Sequence, residues 1–340
     1  MDIKNIRWQS YNCFSSAVGS LLTYYRMPWI SSVLDSSCDF YYQPIFTLGK
    51  REVGVWPGPE HPVIQERMRL FYGLEIRDYE HKCWQDALKL IEHHLADGGL
   101  VFAAVENYSC PYIPMRNAVG RDWHYLIILR RNTNNIYYYD SFFDKTGYMT
   151  LSQLQNSMRF TLGDGQTVFN RVYIVHNTFS ELIPKDVLSS VEWYQTCIHK
   201  VDPYNSITAK LLSERINILF GPLAIRLLAD NLAYSKNTQC SRRLLLLSQC
   251  FKDVHYQRVF FLRFLKEMKV AYRQVSPNID KVMGEVVLST KKWFRAKTFA
   301  LYASHKEHNM FNDYLSKILL EIADIEERLL VNLAYILGSL

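Results

Sequence analysis

The sequence predicts an α+β protein in two parts: a mixed first domain over residues 1–180 and a mostly α-helical domain over residues 181–340. Three observations carry this. Near the N-terminus Phe14, Ala17, Val18, Leu21, Leu22 and Tyr25 recur at helical spacing. Between residues 100 and 176 the pattern becomes one of short apolar runs, Leu100–Glu106, Tyr125–Leu129, Asn135–Tyr139 and Arg171–His176, of strand length. Beyond about residue 181 strand signals fade, and 204–234, 239–274, 276–303 and 306–338 favour helix. A helix followed by antiparallel strands is the order of an α+β domain.

Each element has a local reason. Ser10 and Asn12 are good cap residues ahead of the first helix, which puts Cys13 in its first turn. Residues 27–60 are rich in Pro, Gly, Ser and aromatic residues and read as irregular structure forming a cleft wall. Residues 60–72 read as a helix closed by Gly73, 74–79 as a short strand, and 84–96 as a helix stopped by Gly98-Gly99. The polar stretch 130–134 turns 125–129 back onto 135–139 as a hairpin. Thr150 caps a helix over 151–158, and the helical half is broken near Gly221-Pro222, at 235–238 and at Ser276-Pro277.

Composition narrows the setting. The chain is 49% hydrophobic and 14% aromatic, enough for packed cores, yet it has no uninterrupted apolar window of membrane-spanning length and no apolar signal core behind Met1. Neither export nor insertion in a membrane is expected. The seven cysteines are odd in number and scattered, with no CxxC pair and no Cys/His spacing suited to zinc. Free thiols in a reducing cytoplasm, and no metal, are the expectation. The net charge of +6 is concentrated: residues 210–306 hold 18 Lys and Arg against 6 Asp and Glu. Such a basic helical surface is either a solvated face or a dock for an acidic partner. Nucleic acid is not expected as that partner, because its binding motifs are missing.

The chemistry starts from Cys13. A cysteine in the first turn of a helix faces free backbone N–H groups and the positive end of the dipole, which favour a thiolate. A thiolate nucleophile needs a base that takes up and returns a proton, and His124, at the entry to the 125–129 strand, is the candidate. Asp140 ends the paired strand and would fix the imidazole tautomer. The Cys13 N–H and the Gln9 side-chain amide, with Asn12 in reserve, would form an oxyanion hole. Tyr112 and Trp123 are candidates to line the substrate channel.

This order of Cys13, His124 and Asp140 resembles the papain-like cysteine protease fold and is similar to the leader-cleaving peptidase domains of bacterial peptide exporters. The run of features over residues 8–160, including Gln9–Cys13, Trp84–Leu88, Cys110-Pro111-Tyr112, Trp123–Leu129 and Tyr139-Asp140, resembles the family of butirosin biosynthesis protein H. The resemblance implies an acyltransferase or condensing enzyme of natural-product (antibiotic) biosynthesis. It would move an acyl or aminoacyl group from a carrier-protein thioester, through an acyl-enzyme on Cys13, to a small-molecule amine. It implies no cofactor beyond the phosphopantetheine arm of the substrate, and the basic helical half would suit an acyl or peptidyl carrier protein. Two alternatives use the same features: a cysteine hydrolase (peptidase, amidase or thioesterase), and a non-catalytic carrier-binding protein.

Overall fold

The computed structural model describes residues 6–10, 12–27, 30–35, 40–42, 55–57, 64–65, 68–69, 72–110, 112, 123–161, 167–177, 219–234, 241–273, 276–306 and 310–338. In chain order the elements are α1 (Cys13–Tyr24), α2 (Ile30–Leu34), β1 (Phe40–Tyr42), β2 (Val55–Pro57), β3 (Leu74–Glu80), α3 (Trp84–Ala96), β4 (Val101–Glu106), β5 (Trp123–Arg131), β6 (Asn135–Asp140) and β7 (Lys145–Thr150). There follow α4 (Leu151–Ser157), β8 (Arg159–Thr161), β9 (Thr167–Phe169), β10 (Arg171–Asn177), β11 (Leu219–Phe220), α5 (Gly221–Tyr234), α6 (Ser241–Ala271), α7 (Ser276–Ser304) and α8 (Met310–Gly338). Helix and sheet are mixed as an α+β chain requires.

Contacts divide the chain into two compact units, residues 1–30 with 65–184 and residues 31–64 with 185–340. One break falls between 184 and 185, and the first unit is interrupted by residues 31–64. Residues 27–60, expected to be an irregular cleft wall of the first domain, instead contain α2, β1 and β2, and 31–64 belongs with the helical unit. The reason is strand pairing over a long sequence distance: Tyr41 and Tyr42 pair with Phe220 and Leu219. Local patterning cannot reveal a three-residue strand whose partner lies so far along the chain.

In the first unit an antiparallel sheet runs β3-β10-β4-β5-β6-β7. Its central strands are apolar on both faces because both are covered. One face carries Phe102, Tyr125 and Tyr173, whose rings meet Phe14 of α1 at centroid distances of 5.9, 5.2 and 5.7 Å. The other carries Val101, Ala103, Val105, Leu126, Ile128, Val172 and Ile174, in one core with Ala87 and Ile91 of α3. The expected hairpin is present, with Ile127 opposite Tyr139 and a bulge between Ile128 and Arg130. Thr150 caps α4 through a full capping box with Gln153. The three-residue pair β8 and β9, and β7, were not foreseen.

In the second unit Phe40 stacks on Trp293 at 5.2 Å within a core built from α5, α6, α7 and α8. The expected helix over 204–234 begins at Gly221, which takes a positive φ of 57° directly after β11; residues 204–218 lie outside the described residues. A polar knot sits inside the bundle. Glu326 accepts hydrogen bonds from Arg258 Nε and a second guanidinium nitrogen, each at 2.8 Å, from Ser289 at 2.8 Å and from the Trp293 indole at 2.7 Å. Arg258 and Glu326 are both buried, and this saturation is what makes a buried ion pair tolerable.

Candidate active site

Asn12 caps α1 by accepting the Ser15 N–H at 2.7 Å, so Cys13 is the first helical residue, where the backbone N–H has no intrahelical acceptor. The segment ahead of it is fixed in several ways. Ser10 N–H donates to Ser16 Oγ at 2.9 Å, Arg7 pairs with Asp144 at 3.0 Å, and the Trp8 ring lies on Gly19 so closely that a Cβ there would stand 1.9 Å from Trp8 Cδ1. Gly19 is therefore required by close approach. The Cys13 thiol, half-buried, lies 4.0 Å from the Trp123 carbonyl, at the start of β5.

His124 is the second residue of β5 and Asp140 the last of β6. The Ile127–Tyr139 register puts both on one face as diagonal neighbours, with His124 Nε2 2.5 Å from Asp140 Oδ2. Both side chains are buried. Asp140 is an acceptor four times over: Oδ2 also takes the Tyr112 hydroxyl at 2.7 Å, and Oδ1 takes the Phe142 and Phe143 N–H groups at 3.0 and 3.2 Å. A carboxylate so surrounded is held by the strand end, the following turn and the 110–112 segment at once. The rings of Phe142 and Phe143 flank the imidazole at 6.4 and 5.6 Å.

The electrostatics follow from this packing. Burial is the largest influence on His124 and disfavours the imidazolium, but hydrogen bonds to Asp140 and Cys13 and the charges of both groups together outweigh it, raising the pKa to about 10. With Nε2 engaged by Asp140, Nδ1 is the nitrogen left to serve the Cys13 sulfur. Burial and then the Asp140 charge push the Tyr112 phenol far above its ordinary value, so it stays protonated as a donor. The neighbouring Cys110 thiol, driven chiefly by burial, is raised to about 12, as is Cys250 in the helical unit. Neither is a thiolate at neutral pH; Cys38, Cys197 and Cys240 lie outside the described residues.

The remaining sequence candidates are placed as follows. Gln9 is exposed, and its Nε2 reaches the Phe142 carbonyl at 3.5 Å, on the turn that flanks His124. Asn12, the reserve oxyanion donor, uses its side-chain oxygen as the helix cap. Trp123 turns its ring to packing, with the Arg171 guanidinium 5.0 Å above it and Phe160 at 6.5 Å, and presents its carbonyl to Cys13. Tyr112 belongs to the His124–Asp140 cluster itself. Sequence reasoning missed that role, for which the only local hint is a tyrosine two residues past the buried Cys110. Among the described residues no group of three or more His, Cys, Asp or Glu could hold a metal ion, and no helix is long and apolar enough to cross a membrane. Searched against protein-family models and against curated protein sequences, the chain matches none.

Proposed function

We propose that Cys13, His124 and Asp140 are the nucleophile, the acid–base and the orienting carboxylate of a papain-like acyltransferase. The observation that carries this is the buried 2.5 Å contact between His124 and Asp140 beside a thiol at a helix N-terminus. An imidazolium next to the sulfur is the counter-charge that a thiolate nucleophile needs. The substrate class, a carrier-bound thioester with an amine as acceptor, follows the resemblance to the butirosin protein H family and agrees with the basic helical half.

The steps balance as follows. The Cys13 thiolate adds to the thioester carbonyl, and the oxyanion is met by the Cys13 N–H and the Gln9 amide. Collapse breaks the bond to the phosphopantetheine sulfur, which leaves with the proton of the His124 imidazolium. The now neutral His124 takes a proton from the incoming amine as nitrogen attacks the acyl-enzyme. A second collapse forms the amide and returns the Cys13 thiolate and the imidazolium. Asp140 keeps the ring in its working tautomer throughout and exchanges no proton.

The test is intact-mass spectrometry of the protein incubated with an acylated carrier protein, with and without a primary amine, and again with Cys13→Ala. An adduct of the acyl mass, absent in the variant and discharged by amine, is the expected result. Prompt discharge to water identifies a hydrolase instead. Absence of any adduct with thioester or peptide substrates overturns the enzymatic reading.

A further inference from the structure

Five of the 18 Lys and Arg of residues 210–306 are held by carboxylates of other segments, and two of the exposed lysines outside those pairs share one place. Arg226 is engaged by Asp324 and Glu327, Arg258 by Glu326, Arg263 by Asp35, Lys269 by Asp280 and Lys292 by Glu321. Lys266 and Lys291 show no such partner among the described residues and are exposed. Both fall on the face shared by α6 and α7. These helices run antiparallel, with Lys269 against Asp280 near one end and His255 Nδ1 3.0 Å from the Thr290 carbonyl farther along.

On this face α6 contributes His255, Val259, Leu262 and Lys266, and α7 contributes Val287, Lys291, Phe294, Thr298 and Leu301, both at the i, i+3, i+4 spacing of one helical side. Leu262 packs against the core, but Val259 at 38%, Val287 at 40% and Phe294 at 50% exposure stand open. Lys297 lies over the Phe294 ring at 5.1 Å, and the His255 ring, whose burial favours its neutral form, is 5.5 Å from it, so the aromatic centre carries one cation on its face. Neither series contains a carboxylate, and residues 286–306 contain none at all. An exposed apolar strip along two neighbouring helices, bordered by lysines without a carboxylate partner among the described residues, is complementary to a third helix that is apolar along one side and acidic at its margins.

We infer that the α6–α7 face docks an acidic helix of a partner protein, with Phe294 as the central anchor and Lys266 and Lys291 as the charge contacts. Resting on the acyl-transfer reading, that partner is the acyl carrier protein. The helix packs its apolar side along Val259, Val287 and Phe294, and its carboxylates meet the lysines. Charge attraction speeds encounter and the apolar centre holds the complex, so affinity falls with added salt without vanishing.

The experiment measures binding of a fluorescently labelled holo acyl carrier protein to the full chain carrying Cys13→Ala, which separates docking from acylation. Lys266→Glu with Lys291→Glu is expected to weaken binding at least tenfold, as is Phe294→Ala. Lys317→Glu, an exposed lysine of α8, serves as the control and should leave affinity unchanged. Circular dichroism of each variant excludes unfolding as the cause. Equal loss in the control, unaltered binding in the face variants, or no binding of the carrier at all overturns the inference. So does face-dependent binding to vesicles containing an anionic lipid in place of the protein. Carrier binding that depends on this face without any acyl adduct on wild-type Cys13 overturns the catalytic reading alone; acylation with unchanged kcat/KM in the face variants overturns the docking alone.

Discussion

Tyr112 and His124 converge on a single oxygen, Oδ2 of Asp140, at 2.7 and 2.5 Å. Two donors on one oxygen divide its charge, so the hydroxyl moderates the pull of the carboxylate on the imidazole. Tyr112→Phe should raise the His124 pKa further, because the ring becomes the sole donor to that oxygen. A hydrogen bond to a charged group is worth about 1.5–3 kcal/mol, so turnover should fall by roughly tenfold or more through a looser carboxylate. NMR titration of His124 and a pH–rate profile check this, and a lowered His124 pKa in the variant would count against it.

Asp140→Asn is the stronger perturbation. It removes the negative charge and leaves burial opposed by Cys13 alone, so the His124 pKa should drop well below about 10. Turnover should fall by orders of magnitude while alkylation of Cys13 by iodoacetamide persists at a reduced rate. An unchanged titration would remove Asp140 from the site's electrostatics.

The same shift sets a stability profile. A histidine whose pKa is raised on folding adds stability that is complete below its unfolded value near 6.5 and is lost as pH rises through the folded value of about 10. Denaturant midpoints of the first unit should therefore decline between roughly pH 7 and 10, and His124→Asn should flatten that part of the curve. A wild-type profile that rises over this window contradicts the assigned direction.

Gly19→Ala would drive a methyl into the Trp8 ring and displace the segment that carries Gln9 toward Cys13. Overpacking of this kind costs about 1–3 kcal/mol. Thermal melts of Gly19→Ala, Trp8→Ala and the double variant should show that the methyl is tolerated once the indole is gone. Additive losses would mean that the two positions do not press on each other.

In the helical unit Glu326→Ala leaves the buried Arg258 without its counter-charge and strands the Trp293 and Ser289 donors. Loss of one partner of a buried pair costs about 3–5 kcal/mol. Replacing Arg258 with Met in the same variant should recover a large share of that loss in a denaturant titration.

How far the sequence could be read depends on whether the determining contacts are local. The Asn12 and Thr150 caps, the 130–134 turn and the meeting of His124 with Asp140 are all consequences of short-range pattern, and each was visible. The pairing of β1 with β11 depends on residues far apart, and the donors that surround Asp140 come from a turn and from Tyr112, none of which has a periodicity to betray it. The basic excess was visible as a sum, but only packing tells that Arg258 spends its charge inside the bundle and Lys292 on Glu321 at the surface, while Lys266 and Lys291 have no such carboxylate among the described residues. The lysines that matter are thus a minority of those that drew attention.

The interleaving of the two units bears on synthesis as well as on folding. Phe40 leaves the ribosome long before Trp293, the ring it stacks on, so the nascent chain carries this apolar strand before the residues that cover it have been made. A fragment ended near residue 180 would keep that strand permanently orphaned. Excising residues 31–64 and closing the gap with a Gly/Ser bridge is the rational way to obtain the first unit alone.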